Sequence, residues 1–168
     1  AAVCPPGIVP PSPRGPRAPG PLRVLWAARW EHDKQPEQFF AAVELARQRG
    51  ADLRLLVAGE SFDDTPPVFA QARERFADII DAWGWQETRA QYTALLAQAD
   101  VAVSTAAHEF FGVALVEAVA AGAYPLAPDR LAYPGVLGPL AREAGCFYDG
   151  DPESLARRLV TCAQKISR

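Results

Sequence analysis

Short apolar runs alternate with amphipathic stretches along most of this chain. The runs hold three to seven residues, and several end in small residues, which is typical of buried parallel strands. The runs predicted as strands lie at 22–27, 52–58, 79–83, 100–103, 123–127 and 146–148. Strands that alternate with helices form one parallel sheet covered on both faces. We therefore predict an α/β fold with a doubly wound, Rossmann-like sheet.

Capping and helix-breaking residues place helices between these strands. Pro36 fits the first turn of a helix that ends before Gly50, and Thr88 fits the N-cap of a helix that runs to Gln98. Asp151 fits the cap of a last helix. Further helices are predicted at 68–76 and from 111 or 112 to about 122, with one helical turn within 135–142.

The first 21 residues differ in composition from the rest. They hold eight of the 16 prolines and three of the 12 glycines, so we expect neither a helix nor an interior strand there. We predict a Pro-rich linker or arm at 1–21 and one domain at 22–168. Arg14, Arg17 and Arg23 precede the first acidic residue, so the arm either contacts RNA phosphates or is a solvated linker.

The bulk composition limits the classes of function. The 168 residues carry a net charge of −3, so no basic field favours nucleic-acid binding by this chain itself. No apolar run approaches the roughly 18 residues needed to span a bilayer, and no secretory-signal pattern opens the chain. Cys4, Cys146 and Cys162 fit neither a disulfide framework nor a zinc site, so we expect reduced thiols in a cytoplasmic protein without bound metal. The lack of any Met favours a part of a longer protein.

The most informative stretch is 104–122, Ser-Thr-Ala-Ala-His-Glu-Phe-Phe-Gly-Val-Ala-Leu-Val-Glu-Ala-Val-Ala-Ala-Gly. It leaves a predicted strand, passes through small residues and enters a helix at about Phe111 or Gly112. The free N–H groups of a helix N-terminus bind anions. Glu109 and Glu117 frame this entry, and a carboxylate accepts two hydrogen bonds from a vicinal diol. The pattern suits a diphosphate with a sugar on each side, which is a nucleotide sugar.

Two cations follow the first predicted strand. Arg29 and Lys34 lie in the loop at its carboxyl end, where doubly wound sheets bind ligands. The alternative is a pair of exposed cations neutralised by Glu31 and Asp33. Gly59 ends the second predicted strand and allows a close approach to the same cleft.

Three strings in order resemble the retaining GT-B glycosyltransferases of family 4. They are the Leu25–Glu37 string, the Ser104–Val119 string with its E-x7-E element from Glu109 to Glu117, and the Pro125–Pro134 string. Together they are similar to the tRNA-queuosine mannosyltransferase branch of that family. The resemblance implies the second, donor-binding half of a GT-B fold, with the acceptor-binding half missing from this chain.

The resemblance also implies roles for single residues. Arg29 and Lys34 would hold the donor diphosphate, Glu109 would contact the hexose, and Glu117 would bind the nucleotide ribose. The segment after the third strand would lie against the base, which points to Trp85 or its backbone neighbours. A Glu109 that only caps the next helix is the alternative. The remaining candidate donor-binding groups are Ser104, Thr105, His108 and the N–H groups of Phe111, Gly112 and Val113.

The reaction implied by the resemblance is transfer of mannose from GDP-mannose to the queuosine base of a tRNA, with retention and without a cofactor or metal. The tRNA would be held through the missing half, and this chain alone would be inactive. Two alternatives stay open: a UDP- or ADP-sugar with another acceptor, and a nucleotide-sugar binding module without turnover. A dinucleotide-binding Rossmann protein is disfavoured because no G-x-G-x-x-G follows the first strand.

Overall fold

The computed structural model describes residues 7–8, 17 and 19–166. Most of the proposed N-terminal arm, including Cys4 and Arg14, therefore lies outside the described residues. The strands are β1 (Leu22–Ala27), β2 (Leu53–Ala58), β3 (Ile80–Gly84), β4 (Val101–Val103), β5 (Tyr124–Pro128) and β6 (Phe147–Tyr148). The helices are α1 (Pro36–Gln48), α2 (Val68–Arg75), α3 (Arg89–Gln98), α4 (Val113–Ala120), α5 (Tyr133–Leu137), α6 (Leu140–Glu143) and α7 (Pro152–Ile166).

The six strands form one sheet in the order β3-β2-β1-β4-β5-β6, and every neighbouring pair is parallel. The predicted doubly wound, Rossmann-like sheet is confirmed. The chain moves outward from β1 to β3 and then returns to the other side of β1 at β4. This reversal is the topological switch point, where open α/β sheets bind ligands at the carboxyl ends of their strands.

Local sequence explains where the main helices begin. Pro36 occupies the first turn of α1, where its missing N–H costs nothing. Thr88 forms a capping box with Gln91, in which each side chain accepts a hydrogen bond from the backbone N–H of the other. Asp151 accepts the N–H of Ser154 at the start of α7. These caps confirm the helix starts expected from the sequence.

The two faces of the sheet are covered differently. One face packs large aromatic side chains, and the other packs mainly alanines and leucines from α3, α4 and the sheet. On the aromatic face, the Trp30 and Phe69 rings stack with centroids 4.2 Å apart. Burial of each such ring contributes about 1.5–3 kcal/mol to folding. The small residues of the second face let α4 approach the sheet closely beside the switch point.

The segment after β5 differs from the sequence prediction. We expected a loop at 128–134 and one helical turn within 135–142, but the structure has two short helices, α5 and α6. Pro134 fits the first turn of α5, and Gly138, with a φ of 79°, ends it. This arrangement brings Tyr133, which the sequence analysis did not single out, beside α4. The other element boundaries lie within about two residues of prediction.

Within the described ranges no helix has both the length and the hydrophobicity needed to cross a membrane. The same ranges contain no group of three or more His, Cys, Asp or Glu side chains arranged to hold a metal ion.

Candidate functional site

Two adjoining cavities open at the carboxyl ends of β1, β2 and β4. The larger is a cleft of about 480 Å³, and the smaller has a volume of about 40 Å³. They share Ala27 at the end of β1, Ala28 directly after it, and Ala114 in the first turn of α4. Both therefore lie at the topological switch point, where the fold alone predicts a ligand site.

Most of the residues predicted for the site line one of these cavities. Arg29, Gly59, Val113 and Glu117 line the larger cleft. Lys34, Ser104, Thr105, Glu109 and Gly112 line the smaller cavity. His108 and Phe111 line neither. The His108 side chain is exposed, and its backbone carbonyl faces inward to Lys34.

Gly59 is required by the protein itself. A Cβ atom at this position would lie 1.9 Å from the Ala28 carbonyl oxygen and 2.7 Å from the Trp30 ring. We expected Gly59 to allow a close approach to the ligand cleft, and it does line the larger cleft. The close approach that excludes a side chain is made by the loop after β1. Gly59 thereby places the Arg29 loop against the end of β2.

Glu117 is a buried carboxylate at the floor of the larger cleft. Its residue is only 7% exposed, and its Oε1 atom accepts a hydrogen bond of 2.6 Å from Nη2 of Arg89. The carboxylate raises the pKa of Arg89. The pKa of Tyr92 is also raised, first by burial and then by Glu117. Arg89 was missed by the sequence analysis, because its contact with Glu117 spans two helices and leaves no local pattern.

Lys34 is a buried cation that holds two loops together. Its Nζ atom donates a hydrogen bond of 2.7 Å to the His108 carbonyl oxygen and lies 3.1 Å from Oδ2 of Asp33. The same atom lies 3.6 Å from Oε2 of Glu109. The pairing with Asp33 weighed in the sequence analysis is present, but Lys34 is 9% exposed and is not a surface cation. Its ammonium group lies between the loop after β1 and the loop after β4.

Glu109 turns its carboxylate back toward its own loop. Oε1 accepts the N–H groups of Phe110, Phe111 and Gly112 at 3.1, 3.3 and 3.0 Å. The structure therefore shows the alternative weighed for Glu109, in which its carboxylate caps the next helix. The N–H groups of Phe111 and Gly112, which we predicted to contact a diphosphate, are occupied by this carboxylate. A phosphate at this helix entry would have to displace Oε1.

Gly112 permits this tight entry into α4. It has a φ of 80°, and a Cβ atom there would lie 2.8 Å from Cε1 of Tyr133. Tyr133 in turn forms a hydrogen bond of 2.5 Å between its hydroxyl and Oγ of Ser104. Burial raises the pKa of Tyr133 to about 12, so its hydroxyl stays protonated at neutral pH. The Ser104 hydroxyl thus lies in the smaller cavity with a fixed neutral partner.

Thr105 has a supporting position. Its Oγ1 donates to the Lys34 carbonyl oxygen at 2.7 Å and accepts from Nε1 of Trp26 at 3.0 Å. The residue is only 1% exposed. This geometry favours a structural role that fixes the Lys34 loop over the direct diphosphate contact that we expected from the sequence.

Arg29, like Arg89, is an exposed cation that lines the larger cleft. Its Nη1 atom lies 2.9 Å from Oε1 of Glu31, and its side chain is 60% exposed. The pairing with Glu31 was the alternative weighed for this residue. Exposed ion pairs of this kind stabilise a fold by only about 0–1 kcal/mol, so the guanidinium can turn to another anion at small cost. Trp85, 65% exposed, forms another part of the cleft wall.

The arrangement combines three chemical features in one cleft. An exposed guanidinium and the N-terminus of α4 favour an anion. A buried carboxylate can accept hydrogen bonds from hydroxyl groups. An exposed indole offers a flat apolar surface. These features match an anionic ligand that carries both hydroxyl groups and an aromatic ring.

Comparisons with known proteins identify the family of this chain. The family model described as "Glycosyl transferases group 1" matches residues 21–165. A tRNA-queuosine alpha-mannosyltransferase of Drosophila melanogaster is 36% identical over 115 residues, which cover 68% of this chain and 30% of the relative. A GDP-mannose-dependent alpha-(1-6)-phosphatidylinositol dimannoside mannosyltransferase of Mycobacterium tuberculosis is 26% identical over 151 residues, or 89% of this chain and 38% of the relative. The chain thus spans about a third of the length of these curated relatives.

Solved structures share the fold. An S. aureus TarM mutant in complex with UDP and other ligands superposes with a TM-score of 0.75 at 15% identity, over 93% of this chain and 31% of that one. Anabaena HepE in complex with UDP and glucose gives a TM-score of 0.68 at 21% identity, over 88% of this chain and 41% of that one. At these identities the likeness concerns the fold alone. Together, the parallel sheet, its GT-B neighbours and the family match over residues 21–165 establish that this chain belongs to the group 1 glycosyl transferases, with a Rossmann-like GT-B domain.

Proposed function

We propose that this chain is the donor-binding domain of a retaining mannosyltransferase that uses GDP-mannose and modifies the queuosine base of a tRNA. The larger cleft would take the nucleoside diphosphate, and the smaller cavity beside it would face the sugar. The acceptor would be held mainly by another part of the enzyme. We further propose that the transfer needs no metal ion and takes place in the cytoplasm.

One observation carries the proposal. A single cleft at the switch point joins the Arg29 guanidinium, the buried Glu117 carboxylate and the N-terminal turn of α4. A nucleoside diphosphate needs a partner for its phosphates and an acceptor for its ribose hydroxyl groups, and this cleft offers both. The exposed Trp85 ring in the same cleft would pack against the base.

The proposed roles follow from charge and position. Arg29 would leave Glu31 and contact the diphosphate, whose negative charge grows as the sugar–phosphate bond breaks. Lys34 would act through Glu109: its Nζ atom lies 3.6 Å from Oε2 of Glu109 and can fix that carboxylate. Glu109 would orient the mannose once a phosphate oxygen replaces Oε1 at the entry of α4.

Mannose and guanine are supported by the relatives. The Drosophila melanogaster relative is named for mannosyl transfer to tRNA-queuosine, and the Mycobacterium tuberculosis relative is named for GDP-mannose dependence. The choice of the tRNA acceptor rests on the former, which is 36% identical to this chain over the matched residues.

Calorimetric titration of this chain with GDP, UDP, ADP and NAD tests donor binding. We expect GDP to bind and both Glu117→Ala and Arg29→Ala to weaken it about tenfold or more, since each removes a charge-assisted contact. Arg75→Ala is a matched control, because Arg75 is equally exposed and pairs with Glu44 outside the cleft. Preferential binding of UDP or ADP would replace the donor assignment, and binding of NAD alone would overturn the proposal.

Transfer is tested in the full-length enzyme. We expect radiolabel from GDP-mannose to appear on queuosine-containing tRNA, with the α configuration retained and with full activity in EDTA. Activity that EDTA abolishes would contradict the metal-free proposal. A protein that binds GDP-mannose tightly but transfers nothing to any tRNA would contradict the tRNA acceptor, and one that transfers mannose to no acceptor would be a binding module.

A further inference from the structure

We propose that Arg89 is a positioning residue that holds Glu117 in the orientation needed to select a ribose over a deoxyribose. This inference rests on the proposed function, in which the ribose of the donor lies over Glu117. It assigns a role to a residue that neither the E-x7-E element nor the resemblance points to.

The contact between Arg89 and Glu117 is short, and its two side chains differ in exposure. Nη2 of Arg89 lies 2.6 Å from Oε1 of Glu117. The Arg89 side chain is 58% exposed, whereas the Glu117 side chain is only 9% exposed. The carboxylate is therefore a buried group whose charge is balanced by a cation at the surface of the cleft. A buried carboxylate without such a partner would carry a large desolvation cost.

Arg89 is itself held from several sides. It is the first residue of α3, directly after Thr88, whose capping box with Gln91 fixes the start of the helix. Its guanidinium carbon lies 5.4 Å from the centroid of the Tyr92 ring, which is a cation–π distance. The helix start fixes the backbone of Arg89, and the ring contact places its guanidinium beside Glu117, so Arg89 can favour one orientation of the carboxylate.

This orientation matters for hydroxyl recognition. A carboxylate has about four lone-pair sites; the contact with Arg89 uses one of them, and a hydrogen bond with the Tyr92 side chain uses a second. The rest can accept the two hydroxyl groups of a ribose only if the carboxylate plane is fixed toward the cleft. Without Arg89 we expect the carboxylate to rotate, and the 2′-hydroxyl then loses its acceptor.

The alternative role for Arg89 is general electrostatic attraction. A cation at the edge of the cleft would strengthen binding of any anionic nucleotide, with or without a 2′-hydroxyl. If this is its role, removing the cation lowers the affinity for both nucleotides equally. A positioning role changes the ratio of the two affinities, so the ratio separates the two roles.

The experiment compares GDP with 2′-deoxy-GDP by calorimetry in the wild-type chain, Arg89→Ala, Arg89→Lys, Glu117→Gln and the control Arg75→Ala. We expect the wild-type chain and the control to prefer GDP by about tenfold, which is the effect of one hydrogen bond to a charged group. Arg89→Ala and Glu117→Gln should reduce this preference to about twofold or less. Arg89→Lys keeps the charge and should retain an intermediate preference.

The outcomes separate the two proposals. If the wild-type chain prefers GDP and Arg89→Ala keeps the same preference, the positioning role is wrong and the proposed function stands. If the wild-type chain binds neither nucleotide, or both equally, the placement of the ribose over Glu117 fails, and this inference falls with it. Far-ultraviolet circular dichroism shows whether each variant is folded. If Arg89→Ala is unfolded, the preference of Arg89→Lys for GDP decides the test, because this variant preserves the charge.

Discussion

The ammonium group of Lys34 donates a hydrogen bond of 2.7 Å to the carbonyl oxygen of His108, 74 positions later in the chain. This contact ties the loop after β1 to the loop after β4 across the switch point. The two loops carry most of the residues proposed to bind the donor. Their relative position therefore depends on a buried cation beside Asp33 and Glu109.

Replacing that cation should destabilise the domain. Lys34→Met keeps the apolar stem but leaves the His108 carbonyl oxygen without its donor and the Asp33 and Glu109 carboxylates without their cation. We expect a loss of about 2–3 kcal/mol in the free energy of unfolding, measured by guanidinium titration. Lys165→Met is the control, because Lys165 is an exposed lysine near the end of α7. A Lys34→Met protein as stable as the control variant would mean that Lys34 is not needed to hold the loops.

Gly59 should tolerate no side chain. The Cβ atom of Gly59→Ala would meet the Ala28 carbonyl oxygen, which is backbone and cannot move aside without shifting the Arg29 loop. We expect a loss of about 1–3 kcal/mol in stability and weaker GDP binding. Gly135→Ala is the matched control, because nothing lies within 4 Å of its Cβ position. Equal stability of the two variants would contradict the close approach.

The capping box of α3 should be measurable on its own. Thr88→Ala removes the side chain that accepts the Gln91 N–H, and we expect a cost of about 1 kcal/mol in thermal or chemical unfolding. Thr161→Ala provides the comparison, because Thr161 donates only to the Arg157 carbonyl oxygen within α7. Alanine favours a helix interior, so this control should lose no stability. A Thr88→Ala protein with unchanged stability would show that α3 is fixed by packing alone.

The start of α7 should respond to acid. Hydrogen bonds from Ser154, the backbone N–H first, hold the pKa of the Asp151 carboxyl below its usual value. A carboxyl whose pKa is depressed by folding stabilises the protein above its unfolded pKa of about 3.9, and that stability is lost as pH falls through the folded pKa. Asp151→Asn cannot titrate. We expect the stability advantage of the wild type over this variant to be constant from about pH 5 to 7 and to shrink below about pH 4.

Urea unfolding of both proteins at each pH measures this difference. Groups other than Asp151 are common to the two proteins, so their titration largely cancels. An advantage that stays constant down to the lowest pH tested would show that the Asp151 carboxylate is not what stabilises the helix start.

The sequence predicted the fold well because its signals are local. Strands such as β1 are continuous apolar runs, and Thr88 and Pro36 mark helix starts by their own chemistry. The switch point then places Arg29 and Glu117 near each other without further information. These parts of the site follow from the order of elements alone.

The rest of the site depends on contacts between distant residues. The pairing of Arg89 with Glu117 joins α3 to α4, and the packing of Tyr133 against Gly112 joins α5 to α4. No spacing rule connects residues 28 or 21 positions apart in different helices. The inward turn of Glu109 toward its own loop was visible only as an alternative, since a glutamate in a loop can face either way.

The distribution of the four tryptophans gives the domain an intrinsic optical signal. Trp26 and Trp30 are buried and Trp83 is half-buried, whereas Trp85 is 65% exposed in the larger cleft. Acrylamide will therefore quench mainly the red-shifted emission of Trp85, and Trp85→Phe removes that component. A nucleotide that covers the indole will shield it from the quencher, so occupancy of the cleft can be followed in an unlabelled protein during stopped-flow mixing.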